Sequence, residues 1–187
     1  STHRPHGHGL AKGMKPQAIM AELLAKSTGC CGAKAGSMHI GDVDVGMLPA
    51  IAIVGSNVPV AAGVALAEKM QGTNNVVACF FGDGASNTGA WHEGMNIAAV
   101  WDLPVVYVCE NNLYAASTSF HKTFKIENVA ERAAAYGMPG VVIDGNDVLE
   151  VYRTSREAIV RAREGGGPTL IECKTYRQCG HSRSDPC

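Results

Sequence analysis

The sequence predicts an α/β fold in which a mostly parallel β-sheet carries helices on both faces. Short apolar segments rich in β-branched and aromatic residues alternate with helix-like segments along the chain. Two of the apolar segments, 76–81 and 105–109, run directly into Gly82-Asp83-Gly84 and Asn111-Asn112. The interval between these two motifs has room for a helix and a return strand. Both motifs are therefore expected at the same edge of a parallel sheet.

The individual elements follow from periodicity, caps and breakers. Pro16 suits the first turn of a helix, Asn128 is a helix cap, and Gly165-Gly166-Gly167-Pro168 ends a helix. The stretches around His3 to His8 and from Gly29 to Asp44 are predicted as loops, and the polar tail from Thr175 shows no periodicity. Helices are predicted at 15–27, 58–71, 88–100, 128–135 and 148–162, and strands at 76–81, 105–109, 141–143 and 169–174.

The apolar positions of three helices predict which faces are buried. In helix 15–27 one side carries Ile19, Leu23 and Lys26, with Met20 and Leu24 beside it. Helix 58–71 is apolar on nearly every side, which predicts a buried helix. Helix 148–162 is amphipathic, and its predicted buried stripe is Val148, Val151, Tyr152, Ser155, Ile159 and Ala162.

Composition limits the class of protein. The 187 residues fit one domain, or one domain with extensions, and 46% of them are hydrophobic. The formal net charge is −1 and charged residues make up 18%, which gives no reason to expect nucleic acid or a membrane as a partner. No apolar run has membrane-spanning length, and no signal peptide or leader-like segment is recognisable in the sequence. Seven cysteines without paired spacing indicate free thiols in a reducing compartment.

The two strand-end motifs together indicate a cation site. Ligands of open α/β sheets bind beyond the carboxyl ends of the strands. The Asp83 carboxylate and the Asn112 amide oxygen are hard ligands that suit Mg²⁺ holding a phosphate group. The glycines beside Asp83 allow close backbone approach, and the following helix directs N–H groups to the same place. The alternative is that each motif is an ordinary turn at the end of a strand.

Several sequence blocks resemble one family. They are G-D-G-A-S-N-T-G, E-N-N-L-Y, S-T-H-R-P-H-G-H-G, G-S-M-H, A-I-V-G-S-N-V-P-V-A-A-G and Y-R-Q-C-G-H-S-R-S-D-P. Together they are similar to the alpha subunit of the thiamine-diphosphate-dependent 2-oxo acid or acetoin dehydrogenase component. The resemblance spans Ser1 to Cys187. It implies one thiamine-diphosphate-binding domain, the half that holds diphosphate and magnesium, with further family segments expected at both ends.

The resemblance also implies roles for individual residues. Asp83, Asn112 and the backbone carbonyl of Tyr114 would bind Mg²⁺. Gly84 and Ala85 would lie against the diphosphate.

In the amino-terminal blocks, Arg4 would bind the diphosphate, and His3 replaces a common tyrosine, as in acetoin-type members. Ala52 and Val54 would bind the cofactor, in the segment whose backbone meets the aminopyrimidine ring. Family members often have glycine at the position of Ala52. His6 would line the active site, and His181 matches the catalytic loop histidine.

Two zinc sites are alternatives. His3, His6 and His8 lie close in sequence, but the predicted loop offers no obvious fourth ligand. A set formed by Cys173, Cys179, His181 and Cys187 lacks the usual close ligand pair.

The implied activity is cleavage of acetoin with acyl transfer to lipoyl groups, using thiamine diphosphate and Mg²⁺. Oxidative decarboxylation of pyruvate or a branched-chain 2-oxo acid is the alternative, and a truncated, non-catalytic assembly partner is an alternative of another class. The chain shows no candidate for the glutamate that activates the pyrimidine. A beta subunit would supply it in an α2β2 heterotetramer, and the lipoyl domain of a dihydrolipoyl acyltransferase would be the acyl acceptor. The implied location is the bacterial cytoplasm, or the mitochondrial matrix in a eukaryote.

Overall fold

A computed structural model describes residues 1–182 and 184–185 of the chain. It divides into two compact units, Ser1–Asn57 and Val58–Cys187. Among the described residues, no helix is both long enough and apolar enough to cross a membrane.

The first unit contains two short helices around a small core. Helix α1 spans His6–Lys12 and ends at Gly13, whose φ of 99° suits a residue without a side chain. Helix α2 spans Pro16–Leu23, and a 3₁₀ turn spans Val43–Val45. The prediction of an irregular loop through His8 is therefore wrong, because α1 forms there despite its glycines. The core side chains are Met14, Ile19, Ile40 and Met47.

Helix α2 is shorter than predicted and buries a different face. It ends at Leu23, and Leu23 and Leu24 are exposed, whereas Ile19 and Glu22 are buried. The Glu22 carboxylate is enclosed by backbone N–H groups of the following glycine-rich loop. The N···O distances are 2.9 Å from Cys31, 2.9 Å from Ala33, 2.7 Å from Ala35 and 3.2 Å from Gly36. This loop is therefore held to α2 by one acidic side chain.

The second unit is built on a four-stranded parallel sheet. Its strands are β1 (Val77–Gly82), β2 (Val105–Asn111), β5 (Gly140–Asp144) and β6 (Thr169–Lys174), in the order β1-β2-β6-β5. The two-residue strands β3 (Tyr114–Ala115) and β4 (Thr118–Ser119) form a separate antiparallel hairpin. In the register, Gly82 lies opposite Glu110, and Asn111 lies opposite Lys174. The carboxyl ends of β1 and β2 therefore lie together, as predicted, and the carboxyl end of β6 lies beside that of β2.

Helices pack on both faces of this sheet, which confirms the predicted fold class. The longer helices are α3 (Asn57–Met70), α4 (Gly89–Val100) and α5 (Val148–Arg163). Residues of α3 and α4 share one core with Phe81, Tyr107 and Leu170, while α5 packs with Val108 and Ile171 on the other face. Short 3₁₀ helices span Asp83–Asn87, Phe120–Lys122 and Val129–Tyr136.

The caps explain where the helices begin. Thr88 Oγ1 accepts the N–H of Trp91 at the start of α4. Asp147 caps α5 by accepting two backbone N–H groups. Asn128 and Glu131 form a capping box, which confirms the predicted cap, although the element that it starts is a 3₁₀ helix.

The predicted burial of helices α3 and α5 is partly wrong. Helix α3 buries one side through Val58, Ala61, Ala62 and Ala65, but Val60 is exposed, so it is not buried all round. In α5 the buried residues are Ala158 and Ala162, with Val151 and Ile159 partly buried against the sheet. Val148 and Tyr152 of the predicted stripe are exposed. Apart from Val58, the buried apolar residues of these two helices are alanines.

Candidate active site at the carboxyl edge of the sheet

Asp83 is the first residue after β1, and its side chain is buried at the carboxyl edge of the sheet. It is 1% exposed, and its Oδ2 has no hydrogen-bond partner among the described residues. Burial raises the pKa of this carboxyl, and the negative charge of Glu172 raises it further. Lys174 and Arg177 oppose that shift. A buried carboxylate oxygen without a partner is unusual in a folded protein and fits a cation ligand.

The Gly84 position brings the Asp83 turn close to the β3–β4 hairpin. A Cβ built on Gly84 would lie 2.5 Å from the Cβ of Ala115, a distance that real Cβ contacts essentially never show. Ala85 is buried at 2% exposure, and Ser86 Oγ donates to the Asp83 carbonyl at 2.6 Å. The Asp83 turn therefore lies against the hairpin that follows Asn112 in the chain.

The second motif spans the end of β2, at Asn111, and the start of the turn that follows, at Asn112. Asn111 is fully buried, and its Oδ1 accepts the N–H of Leu113 at 2.9 Å. Asn112 is partly exposed, and its Oδ1 accepts the N–H of Tyr114 at 3.1 Å. Leu113 and Ala116 have φ of 69° and 50°, in the left-handed region that disfavours side chains. Such strained residues persist only where the surrounding contacts hold them.

Glu172 is a buried carboxylate that sequence reasoning missed. It lies in the middle of β6 and is 0% exposed. Its oxygens accept Asn111 Nδ2 at 2.6 Å, Ala130 N at 2.7 Å and Lys174 Nζ at 2.7 Å. The signal was present, because an acidic residue within an otherwise apolar strand is rarely buried unless it is paired.

Arg132 was also missed, and it supports the Asp83 turn. Its guanidinium donates to the Ser86 carbonyl and, at 2.8 Å, to Asn87 Oδ1. The same group stacks near Trp91 and Phe124, with distances of 5.9 and 4.8 Å from Cζ to the ring centroids. Nothing in the sequence around position 132 distinguishes this residue from an ordinary surface arginine.

The carboxyl-terminal tail is attached to the same hairpin. Arg177 Nη1 donates to the Ala116 carbonyl at 2.6 Å, and its Cζ lies 5.1 Å from the Tyr114 ring centroid. Arg177 also forms an ion pair with Asp185 at 3.6 Å, and Asp185 Oδ2 accepts the N–H of His181 at 2.7 Å. The segment that bears His181 is thereby linked to the turn that bears Asn112.

In the first unit, the amino-terminal segment pairs with the segment that precedes Ala52. The backbone N–H of Ile51 donates to the Ser1 carbonyl at 3.1 Å, and Thr2 forms a parallel bridge with Ile51. His3 and Arg4 therefore follow a segment that pairs just before Ala52. The φ of Ala52 is not positive, so its methyl group is compatible with the backbone at this position.

The remaining predicted residues of this unit are accessible. Val54 is 49% exposed. His6 lies at the start of α1, with its Nε2 at 3.2 Å from Ser37 Oγ, and His8 Nδ1 lies 2.8 Å from Ser1 Oγ.

The zinc alternative at His3, His6 and His8 finds no support among the described residues. Within residues 1–182 and 184–185, no group of three His, Cys, Asp or Glu side chains is arranged to hold a metal ion. Cys187 of one zinc alternative, and Arg183 and Pro186 of the His181 segment, lie outside the described residues. A single carboxylate supplemented by amide and backbone oxygens instead suits Mg²⁺.

Comparison with known proteins gives the family directly. The family model described as "Dehydrogenase E1 component" matches residues 1–187. The chain belongs to the dehydrogenase E1 component family. This confirms the resemblance to E1 alpha subunits predicted from the sequence blocks.

Related E1 chains carry two kinds of name. The alpha subunit of acetoin:2,6-dichlorophenolindophenol oxidoreductase from Bacillus subtilis (strain 168) is 56% identical over 99% of this chain and 56% of its own length. The subunit of the same name from Cupriavidus necator is 50% identical over the same shares. A chloroplastic pyruvate dehydrogenase E1 alpha-3 subunit from Arabidopsis thaliana is 44% identical over 100% of this chain and 45% of its own. This E1 chain thus spans about half the length of the curated relatives that it matches.

Solved structures support the fold. A transketolase mutant from Pichia stipitis matches 75% of this chain and 22% of its own, with a TM-score of 0.60 and 21% identity. A thiamin diphosphate-dependent enzyme from Mycobacterium smegmatis matches 72% of this chain and 26% of its own, with a TM-score of 0.52 and 22% identity. At these identities the likeness concerns the fold of the E1 chain alone.

Proposed function

We propose that this chain forms the diphosphate- and magnesium-binding half of a thiamine-diphosphate-dependent E1 active site. The observation that carries the proposal is the buried Asp83 Oδ2, which has no hydrogen-bond partner among the described residues and lies at the sheet edge where the β3–β4 hairpin approaches Gly84. Asp83, Asn112 and the Tyr114 carbonyl would bind Mg²⁺. Gly84 and Ala85 would lie beside the diphosphate, where the absence of a Cβ at Gly84 permits close approach.

The amino-terminal residues would complete the cofactor site. Arg4 is exposed, and its planar guanidinium suits two oxygens of a diphosphate. His3 precedes it on the same segment. Ala52 and Val54 would contact the aminopyrimidine ring, chiefly through the backbone.

The proposed chemistry divides between the cofactor and two histidines. Thiamine diphosphate, when bound, supplies the nucleophilic carbon and the electron sink for cleavage next to a carbonyl group. His6 and His181 would hold or transfer protons at oxygen atoms of the substrate, since imidazole changes its charge near neutral pH. The Ser37 contact orients His6 Nε2, and the Asp185 contact fixes the backbone of His181.

Acetoin is the substrate that we favour. The relatives at 56% and 50% identity are named for acetoin, whereas the one at 44% is named for pyruvate. Oxidative decarboxylation of pyruvate, or of a branched-chain 2-oxo acid, is the second candidate, supported by the pyruvate dehydrogenase names among the relatives.

A beta subunit would supply the activating glutamate and complete an α2β2 heterotetramer. A lipoyl domain of a dihydrolipoyl acyltransferase would accept the acyl group. The names of related alpha subunits support the existence of a partner chain.

The test uses the full-length protein with its beta subunit. Calorimetric titration should show binding of thiamine diphosphate that depends on Mg²⁺, and reductive acylation should be fastest with acetoin among acetoin, pyruvate and a branched-chain 2-oxo acid. Faster turnover of pyruvate would replace the substrate assignment and leave the cofactor assignment intact. Absence of cofactor binding would leave the non-catalytic assembly partner as the better reading.

A further inference from the structure

We propose that Glu172 is a positioning residue that holds both polypeptide segments of the magnesium–diphosphate site in place. The inference rests on the proposed function, because it concerns the residues that would bind the metal. Glu172 would not itself bind the metal. Its two carboxylate oxygens instead connect to the two turns by separate hydrogen-bond paths.

The first path leads to the turn after β2. Glu172 Oε1 accepts Asn111 Nδ2 at 2.6 Å, and Asn111 Oδ1 accepts the N–H of Leu113 at 2.9 Å. The carboxylate therefore fixes which way the Asn111 amide faces, since the amide nitrogen must point at the acceptor. That orientation supports the strained φ of 69° at Leu113, between Asn112 and Tyr114.

The second path leads to the Asp83 turn. Glu172 Oε2 accepts the N–H of Ala130 at 2.7 Å, in the first turn of the helix Val129–Tyr136. Arg132 of the same helix donates to the Ser86 carbonyl and to Asn87 Oδ1, at the end of the turn that begins with Asp83. One buried carboxylate is thus connected to both segments that carry proposed metal ligands.

The charge of Glu172 is balanced within the same network. Lys174 Nζ lies 2.7 Å from Oε1 and also donates to the Glu127 carbonyl at 3.1 Å. A buried ion pair is weak evidence for stability, because well-packed apolar residues often serve as well. A positioning role accounts for a buried carboxylate between the apolar residues Ile171 and Cys173, where packing alone has no need of one.

The main test is Glu172→Gln, which preserves the shape of the side chain but places an amide nitrogen, itself a donor, where a carboxylate oxygen accepted N–H groups. In the full-length protein at saturating thiamine diphosphate, the Kd for Mg²⁺ should rise about 10–100-fold, the usual effect of losing a residue that orients metal ligands. Calorimetric titration measures this Kd without turnover. Glu150→Gln is the matched control. It also removes a carboxylate that accepts a backbone N–H, that of Asp144 in the edge strand β5, which does not pair with β1 or β2. Its Kd should remain that of the wild type.

A charge-conserving double variant separates positioning from simple destabilisation. With Glu172→Gln and Asn111→Asp together, the new amide at 172 can donate to the new carboxylate at 111. The side-chain carbonyl oxygen at position 172 can still accept the N–H of Ala130, and the second carboxylate oxygen at position 111 can still accept the N–H of Leu113. This pair should recover most of the Mg²⁺ affinity.

If Glu172→Gln does not fold, Arg132→Lys serves in its place. It keeps the positive charge but loses the planar fork, and it should raise the Kd for Mg²⁺ while circular dichroism stays native. A lower melting temperature with an unchanged Kd in either variant would overturn the inference. A wild-type protein that binds no Mg²⁺ would instead refute the proposed function.

Discussion

Replacing Asp83 by asparagine should separate the cost of its buried charge from its use as a metal ligand. A buried group without a hydrogen-bond partner costs about 1–3 kcal/mol, and a charged one costs more. The metal-free Asp83→Asn variant should therefore be more stable than the wild type by about 1 kcal/mol at neutral pH. For a chain of this size that corresponds to a melting temperature about 2–4 °C higher.

The wild type should be more stable than the Asp83→Asn variant when the metal is present. With thiamine diphosphate held constant and Mg²⁺ at 100 times its Kd, the wild type should gain about 2.7 kcal/mol. That gain corresponds to about 5–11 °C in melting temperature. The variant should gain little, since the neutral amide replaces the charged ligand. Differential scanning calorimetry with and without Mg²⁺ measures both effects.

Asp144→Asn is the matched control. Asp144 ends the parallel strand β5, but it is exposed and its carboxylate already accepts two hydrogen bonds from Asn146. Its substitution should leave the Mg²⁺ response unchanged. The reasoning is refuted if Asp83→Asn keeps the full Mg²⁺ response, or if the metal-free variant melts below the wild type.

The pH dependence has a definite sign. Because burial and Glu172 raise the pKa of Asp83, the folded state holds this proton more tightly than the unfolded state does. Protonation of Asp83 therefore stabilises the folded state fully below the unfolded pKa of about 3.9, and this stabilisation is lost as the pH rises through the raised folded pKa. The advantage of the metal-free Asp83→Asn variant should therefore be largest at neutral pH and should shrink as the solution is acidified, as pH-dependent urea unfolding would record.

Three further substitutions test the surroundings of the site. Gly84→Ala should destabilise the protein by about 1–3 kcal/mol, because the new methyl group would clash with Ala115. Gly89→Ala is the control, since its methyl group would enter open space, and thermal unfolding should show no such loss for it. Arg177→Ala should detach the tail from the β3–β4 hairpin and speed limited proteolysis of the tail, and equal rates would contradict the role of the Ala116 contact. His181→Ala should lower kcat about 10²–10⁴-fold with little change in cofactor affinity, and wild-type turnover would move the proton-transfer role elsewhere.

The sheet and the longest helices could be predicted because their signals are local. The predicted strand 169–174 is observed without change, and α5 begins after the Asp147 cap and ends at Arg163, with Glu164 as its C-cap just before the glycine run. Helix α1 was missed because Gly7 and Gly9 lower helix propensity, and tertiary contacts decide such cases. Helix α2 stops at Leu23 because Glu22 draws the next segment back onto the helix, which sequence periodicity does not reveal.

The candidate site was predictable to the extent that it lies in contiguous motifs. Asp83 and Asn112 could be placed at one edge because both directly follow apolar strands. Glu172 and Arg132 could not be assigned to the site, because the hydrogen-bond partners that connect them to it are distant in sequence. These partners lie 42 to 61 residues from Glu172 and 45 to 46 residues from Arg132. Only the strand pairing and the docking of a short 3₁₀ helix bring them to the turns.

The enclosure of Glu22 has a consequence for how the amino-terminal unit opens. The amides of Cys31, Ala33, Ala35 and Gly36 share one acceptor side chain, so their protection from solvent hydrogen exchange depends on a single event. When the carboxylate leaves, all four amides become exchangeable together, and the loop behaves as one cooperative opening unit. Their exchange rates should therefore cluster around a common value, even though the segment contains no regular secondary structure. Ser37, which contacts His6, follows this unit directly, so the lifetime of the closed loop would also limit how long that histidine keeps its orientation.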